Sequence, residues 1–404
     1  MNICNLSSTR GDLLFMYVYD QLYRIPGTLV RGGTSKGVIL RTVDLPKDPV
    51  IRDEIILKIF GSPSNNQIDG IGGGTPLTSK LALVGPPIFP DTHISYTFGQ
   101  VSLEKKVIDY KVTCGNIASA VGLYALEEGY VQLQEPVTVV RIFNTNTNGI
   151  IEVEIPVAKG QIQYDGEFSI SGVPGTGPRI MVNFIDTGGK FLGKTLPTGN
   201  AVDTIRLDDG REYLVTVIDA VNPIVFVHAE DIGISGTELS DEMNHNHLLL
   251  DTLESIRVKA GEMIGLIKNR AAVTPSTHAL PKIAIIAKPK EYETEGKKKI
   301  EKDSIDIIGR YISMGSLHRA FAVSGSIALA AATNIPGTLP NQLVASVHTG
   351  LRIGHPTGTI YVETQIVKEG DDWKIKRAAV ERTARRLMDG YLYVPTSCLR
   401  TIHV

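Results

Sequence analysis

Two stretches of the sequence constrain the fold more than any others. Residues 117–126, Ile117-Ala118-Ser119-Ala120-Val121-Gly122-Leu123-Tyr124-Ala125-Leu126, read as a helix with almost no polar face. A helix that is apolar all round cannot lie on a surface, so protein must enclose it on every side. Cys114-Gly115-Asn116 stands at its threshold, and Glu127-Glu128-Gly129 closes it. Residues 324–335 repeat the pattern: Ser324-Gly325-Ser326 precedes a second apolar run, which Pro336 stops. A further parallel links the strand-like residues 180–185, entering Asp186-Thr187-Gly188-Gly189-Lys190, with Leu29-Val30 entering Arg31-Gly32-Gly33. The expectation is an α+β chain of two related halves. Each half wraps a sheet around its own buried helix, and both helix N-termini face a shared cleft.

Length agrees, because 404 residues exceed the size at which one core stops growing. We expect an extension over residues 1–22, with Met16 as an alternative start, a first unit over 23–178, a second over 179–396 and a tail over 397–404. A net charge of -2 gives no basis for a nucleic-acid or membrane-surface partner. No apolar run is long enough to span a membrane, and no basic segment followed by a long apolar run opens the chain. Three cysteines, Cys4, Cys114 and Cys398, make no disulfide framework and have no zinc-site spacing. A cytoplasmic location is expected. Forty glycines point to a turn-rich chain with backbone-lined binding loops.

Residues 23–41 read as strand, glycine turn, strand. The turn Arg31-Gly32-Gly33-Thr34-Ser35-Lys36-Gly37 has two hydroxyls, two cations and free N–H groups that suit a carboxylate or phosphate; on local sequence alone a hairpin with solvated charges is the favoured reading. Residues 47–60 place Ile51, Ile55, Ile56 and Ile59 on one helical face. Strands are expected at 93–98 and 106–113, a strand pair at 213–227, an amphipathic helix at 248–268, and a hairpin turning at Gly370-Asp371-Asp372. The charged run 288–303 reads as a solvated loop or helix end.

The chemistry gathers at Gly72-Gly73-Gly74-Thr75-Pro76-Leu77-Thr78-Ser79-Lys80 and at Cys114. A thiol at a helix N-terminus meets the positive end of the dipole and unpaired N–H groups, which suit proton exchange; a buried small hydrophobe is the alternative. Lys80 follows a flexible turn and enters an apolar strand. It reads as a general base if desolvated, and otherwise as a surface cation. His318 and His355 are candidate cleft residues or structural ones. No G-x-S-x-G elbow, His-Glu-x-x-His metal motif or dinucleotide fingerprint occurs.

Taken together, Arg31 to Gly37, Gly72 to Lys80, Cys114-Gly115-Asn116, Ser313-Met314-Gly315 with His318, and Gly354-His355-Pro356-Thr357-Gly358 resemble the PrpF family. Its members include 2-methylaconitate, methylitaconate and aconitate isomerases and 4-oxalomesaconate tautomerase. The likeness runs from about residue 23 to 396. It implies a diaminopimelate-epimerase-like fold of two pseudo-symmetric halves. In those epimerases a cysteine precedes each central helix; here Ser324 stands at the second position. A two-thiol amino-acid racemase is therefore not expected, and a lysine has to supply what the missing thiol did.

The resemblance implies Lys80 and Cys114 as catalytic residues. Around the substrate it places Ser35, Lys36, Gly73, Thr78 and Ser79, with Gly115 and Asn116 at the first helix. From the second half come Met314, His318, Ser324, Gly325 and Ser326. The implied reaction is isomerisation of an unsaturated tricarboxylate such as aconitate, cis to trans or by allylic double-bond migration, with no cofactor or metal. Tautomerisation of 4-oxalomesaconate or of methylitaconate is the alternative within the class. A carboxylate-binding protein without catalysis is the alternative outside it, although a mere binder needs neither base nor thiol. The expected partner is a small di- or tricarboxylate, and a homodimer is the expected assembly.

Overall fold

The computed structural model describes residues 17–19, 21–268, 270, 273, 280–313, 315–345 and 350–397. Met314, Cys4, Cys398 and nearly all of the expected extension and tail lie outside them. The chain opens with strands β1 (Tyr17–Tyr19), β2 (Leu22–Gly32) and β3 (Ser35–Arg41), then helix α1 (Pro49–Phe60). Strands β4 (Lys80–Gly85), β5 (Ile94–Val101) and β6 (Ile108–Asp109) lead to α2 (Gly115–Glu127). Next come β7 (Val137–Asn144), β8 (Gly149–Ala158), β9 (Gln161–Ile162) and β10 (Ile180–Ile185).

The remainder starts with β11 (Asp203–Arg206), β12 (Glu212–Ala220) and β13 (Asn222–His228), followed by α3 (Ser240–His245) and α4 (His247–Met263). It continues through β14 (Lys282–Ala287), β15 (Tyr292–Glu293), β16 (Lys299–Ile300), β17 (Ile307–Ser313) and β18 (Ser316–Leu317) to α5 (Val323–Thr333). It ends with α6 (Leu339–Leu343), β19 (Gly350–His355), β20 (Gly358–Glu369), β21 (Asp372–Arg382) and β22 (Ala384–Pro395).

The strand pairings repeat. β3 runs parallel to β4, β4 antiparallel to β5, β5 parallel to β7 and β7 antiparallel to β8. In the same order, β13 is parallel to β14, β14 antiparallel to β17, β17 parallel to β19 and β19 antiparallel to β20. The crossovers match as well: α1 and the α3–α4 pair fill the first, α2 and α5 the second. All of the strands in this repeat join one twenty-stranded sheet that includes β10, which pairs with both β8 and β21. The expected break at residue 178 therefore falls just before a strand that bridges the repeats. β22 returns to pair with β2 at the other end of the chain.

The apolar helices are enclosed as their composition requires. Residues 115–126 of α2 and every residue of α5 are buried, and one continuous core contains both helices. α1 and α4 instead cover outer faces of the sheet through separate apolar clusters. α1 begins where expected because the Asp48 carboxylate accepts from the N–H groups of Val50 (2.8 Å) and Ile51 (3.1 Å), and Pro49 needs no such partner.

Two expectations change. Of residues 106–113 only Ile108–Asp109 pair as a strand, because the Asp109 side chain accepts the Lys111 N–H and turns the chain. The charged run 288–303 contains the β15–β16 hairpin. Its buried Tyr292 carries a hydroxyl within 2.9 Å of the His355 carbonyl and 3.2 Å of Gly358's. No helix among the described residues is long and apolar enough to cross a membrane.

Candidate active site

Lys80 opens β4 from the glycine-rich turn, and the turn is built around Gln67. The Gln67 Oε1 accepts from the Gly74 N–H at 3.0 Å and the Ser79 hydroxyl at 2.6 Å. A Cβ on Gly73 would stand 2.4 Å from Thr78 Oγ1, so the loop closes this tightly only with glycine there. Thr78 faces Thr75 hydroxyl to hydroxyl at 2.9 Å, and Ser79 is fully buried. These hydroxyls hold the loop's own shape.

The loop delivers a buried amine. Lys80 is 9% exposed, and its Nζ donates to Gln100 Oε1 at 2.8 Å and stands 5.2 Å from the Phe98 ring centroid. Gln100 Nε2 in turn donates to the carbonyls of Pro76 and Ser79, both at 3.1 Å. No carboxylate pairs with Lys80 among the described residues. A neutral amide and an aromatic face orient the amine and leave its remaining valences open to a ligand.

The turn at residues 31–37 connects Lys80 to α2. Gly37 lies opposite Lys80 in the parallel β3–β4 pair, and the Lys36 N–H donates to the Leu77 carbonyl at 2.9 Å. Asn116, in the first turn of α2, donates from Nδ2 to Thr34 Oγ1 (3.0 Å) and to buried Ser35 Oγ (3.3 Å). Gly32 and Gly33 leave room for it, since a Cβ on either would lie 2.1 Å from an Asn116 oxygen. Asn116 Oδ1 accepts from Arg382 Nε at 2.8 Å. Burial pulls the Arg382 guanidinium down to about 10, and the nearby Cys114 and Glu381 act in the opposite direction. Arg382 had no assigned role in the sequence. Its contact with Asn116 spans 266 positions, and the only local sign was a cluster with Arg385 and Arg386.

Cys114 is the N-cap of α2, extended in backbone, half-buried and free. Its carbonyl accepts from the Tyr96 hydroxyl at 3.4 Å, and its side chain caps no N–H group. The two central helices meet here. A Cβ on Gly115 would stand 2.6 Å from Val323 Cγ1 and 2.7 Å from Phe184 Cζ.

The second helix starts earlier than expected. Ser326 donates its N–H to the Ala322 carbonyl at 2.8 Å, closing the first turn two residues ahead of the position matching Cys114. Ser324 thus lies inside the helix, where it hydrogen-bonds the Tyr311 hydroxyl. Gly325 packs against the Tyr311 and Phe321 rings, and Ser326 returns its hydroxyl to the Val323 carbonyl at 2.8 Å. α5 also lacks a side-chain cap, so two helices present uncapped first-turn N–H groups at their meeting point.

His318 stacks edge-on against Tyr311, with ring centroids 6.0 Å apart, and its Nδ1 sits beside the backbone of Ala320. Burial lowers its imidazole to about 4, helped by the charges of Lys80 and Lys282, so the ring is neutral at neutral pH. His355 is buried at the end of β19 and is lowered to about 3, chiefly by burial. Among the described residues no group of three His, Cys, Asp or Glu side chains is placed to hold a metal ion.

A family model described as PrpF protein matches residues 22–395. The 3-methylitaconate isomerase of Eubacterium barkeri is 43% identical over 378 residues, covering 93% of this chain and 98% of its own. The 2-methyl-aconitate isomerase of Shewanella oneidensis is 35% identical over 386 residues, covering 92% and 97%. A solved structure of a methylitaconate-delta-isomerase is 41% identical, with a TM-score of 0.78, and covers 94% of this chain and 98% of its own.

Proposed function

The chain belongs to the PrpF family, and from that premise we propose that it isomerises a small unsaturated di- or tricarboxylate, aconitate-like in its leading form. The carrying observation is the buried Lys80, paired with no carboxylate among the described residues and joined through the 31–37 turn to the start of α2, where Cys114 and the uncapped N-termini of α2 and α5 meet.

In this reading the Lys80 amine takes a proton from the carbon allylic to a carboxylate. The C–H electron pair moves into the conjugated system, and a dienolate forms. With Gln100 Oε1 occupied by one N–H, the nitrogen lone pair can face the substrate carbon. The proton then returns to the same or the far allylic carbon. Return to the far carbon migrates the double bond. Rotation about the bond that has lost double-bond character interconverts cis and trans isomers. The additional negative charge of the dienolate falls near the N–H groups opening α2 and α5, fixed dipoles that need no reorganisation as charge develops.

The relatives' activities, on methylitaconate and on 2-methylaconitate, support a dicarboxylate beside the tricarboxylate as candidate substrate; 4-oxalomesaconate completes the class. Incubation with each acid in deuterated water, followed by proton NMR, should show a new isomer carrying deuterium at an allylic carbon. Absence of turnover across aconitate, methylaconitate, methylitaconate and oxalomesaconate would refute the isomerase reading.

A further inference from the structure

The internal repeat places a second lysine where the first half has Lys80. Lys80 is the first residue of β4 and pairs with Gly37 across the parallel β3–β4 ladder. Lys282 is the first residue of β14 and pairs with Ile224 across the parallel β13–β14 ladder. Each of these strands next pairs antiparallel with the strand that leads into a central helix. The residues facing the lysines differ. Lys80 faces Gln100, whereas the Ile283–Ile312 register puts Ser313 opposite Lys282. A serine hydroxyl is too short to take the place of the Gln100 amide.

Lys282 is 8% exposed and has neither a hydrogen-bond partner nor an ion pair among the described residues. Burial lowers its ammonium to about 8; Arg257 and Lys80 push it the same way, while Asp109 and Glu254 oppose them. Neither carboxylate is within ion-pair distance of the amine, although Asp109 is the stronger of the two attractions. Glu254 is paired with Arg257 at 2.7 Å, and Asp109 accepts the Lys111 N–H at 2.8 Å. His318 senses both Lys80 and Lys282, so all three groups share one electrostatic neighbourhood. A buried cation that no carboxylate touches is costly in the free protein and is relieved by an incoming anion.

We propose that Lys282 is a substrate-binding residue that pairs with a carboxylate of the substrate, so that the two halves contribute one lysine for proton transfer and one for charge. The assignment deepens the isomerase reading and rests on it for the identity of the anion.

Binding is measured by calorimetry on the full chain with propane-1,2,3-tricarboxylate, a saturated acid that cannot undergo the reaction. Lys282→Met should weaken binding by at least about tenfold, and Lys282→Arg should retain most of it. With a substrate that turns over, Lys282→Met should raise KM with a much smaller change in kcat. Pairing raises the bound-state pKa above the free value of about 8. Wild-type binding therefore takes up a proton above that pH and weakens as pH rises further, and Lys282→Met should lose this dependence. Without ligand, Lys282→Met should melt no lower than the wild type, because it removes a buried charge that no carboxylate touches. Unchanged affinity, a loss confined to kcat, or a lower melting temperature with binding intact would each overturn the assignment. A wild type that binds this acid through Lys282 but turns over none of the unsaturated acids refutes the isomerase reading and leaves the anion site standing. A wild type that does not bind it overturns the assignment.

Discussion

Lys80 and Cys114 are fixed by different means, and their variants should behave differently. The amine has one hydrogen bond and no ion pair among the described residues, so replacing it leaves no charged partner stranded. Lys80→Ala should lower kcat by roughly 100- to 10,000-fold with little change in the thermal melt. Cys114 holds α2 through its carbonyl, which accepts the Ala118 N–H at 3.0 Å, while its side chain caps nothing. Cys114→Ser should thus fold normally and lose less activity than Lys80→Ala, because one lysine can carry a proton across one face of a planar dienolate. Steady-state rates for the pair, each beside a melt, check both statements. Wild-type turnover in Lys80→Ala would remove that residue from the mechanism.

The central helices are where element geometry meets activity. Gly115 and Gly122 both lie in α2, and neither has space for a methyl group. A Cβ at Gly115 meets Val323 at 2.6 Å, and one at Gly122 meets Val153 at 2.5 Å. Each alanine substitution overpacks the core and should cost about 1–3 kcal/mol. Only Gly115 stands where α2 touches α5. Gly115→Ala should therefore lower kcat/KM far more than Gly122→Ala at a similar loss of stability. Equal losses of kcat/KM would show that the helix contact does not shape the site.

The same elements show what a sequence can disclose. Uniform apolarity announced α2 and α5, because burial of a whole helix leaves a mark on every residue. The early start of α5 did not show, since it depends on the Ser326 to Ala322 bond and on Tyr311 meeting Ser324 from another strand. Gln100 and Lys282 passed unremarked, and Arg382 stood without a role, for a related reason. Each is an ordinary polar residue in a strand, and its role comes from a partner or an absence of partners that only the folded chain defines.

At the scale of the whole molecule, both helices draw on one apolar core that runs through the strands of both repeats. The chain's last strand ties the ends together. β22 pairs with β2 from Leu22 to Gly32, and Arg386 holds Glu127 and Glu128 at the far end of α2, each at 2.6 Å. Arg382, just before it, holds Asn116 at the near end. Separate cores would let one half unfold while the other stood; a shared core couples them. Trp373, the only tryptophan, packs on that core from β21 and reports on the second repeat, whereas far-UV circular dichroism reports on both. The two signals should follow one coincident thermal transition. A chain ending at Thr383 should lower both together, although Trp373 lies outside the deleted strand. Two resolved transitions, or a truncated chain in which only the circular dichroism signal shifts, would show that the repeats are energetically independent and that β22 serves the first alone.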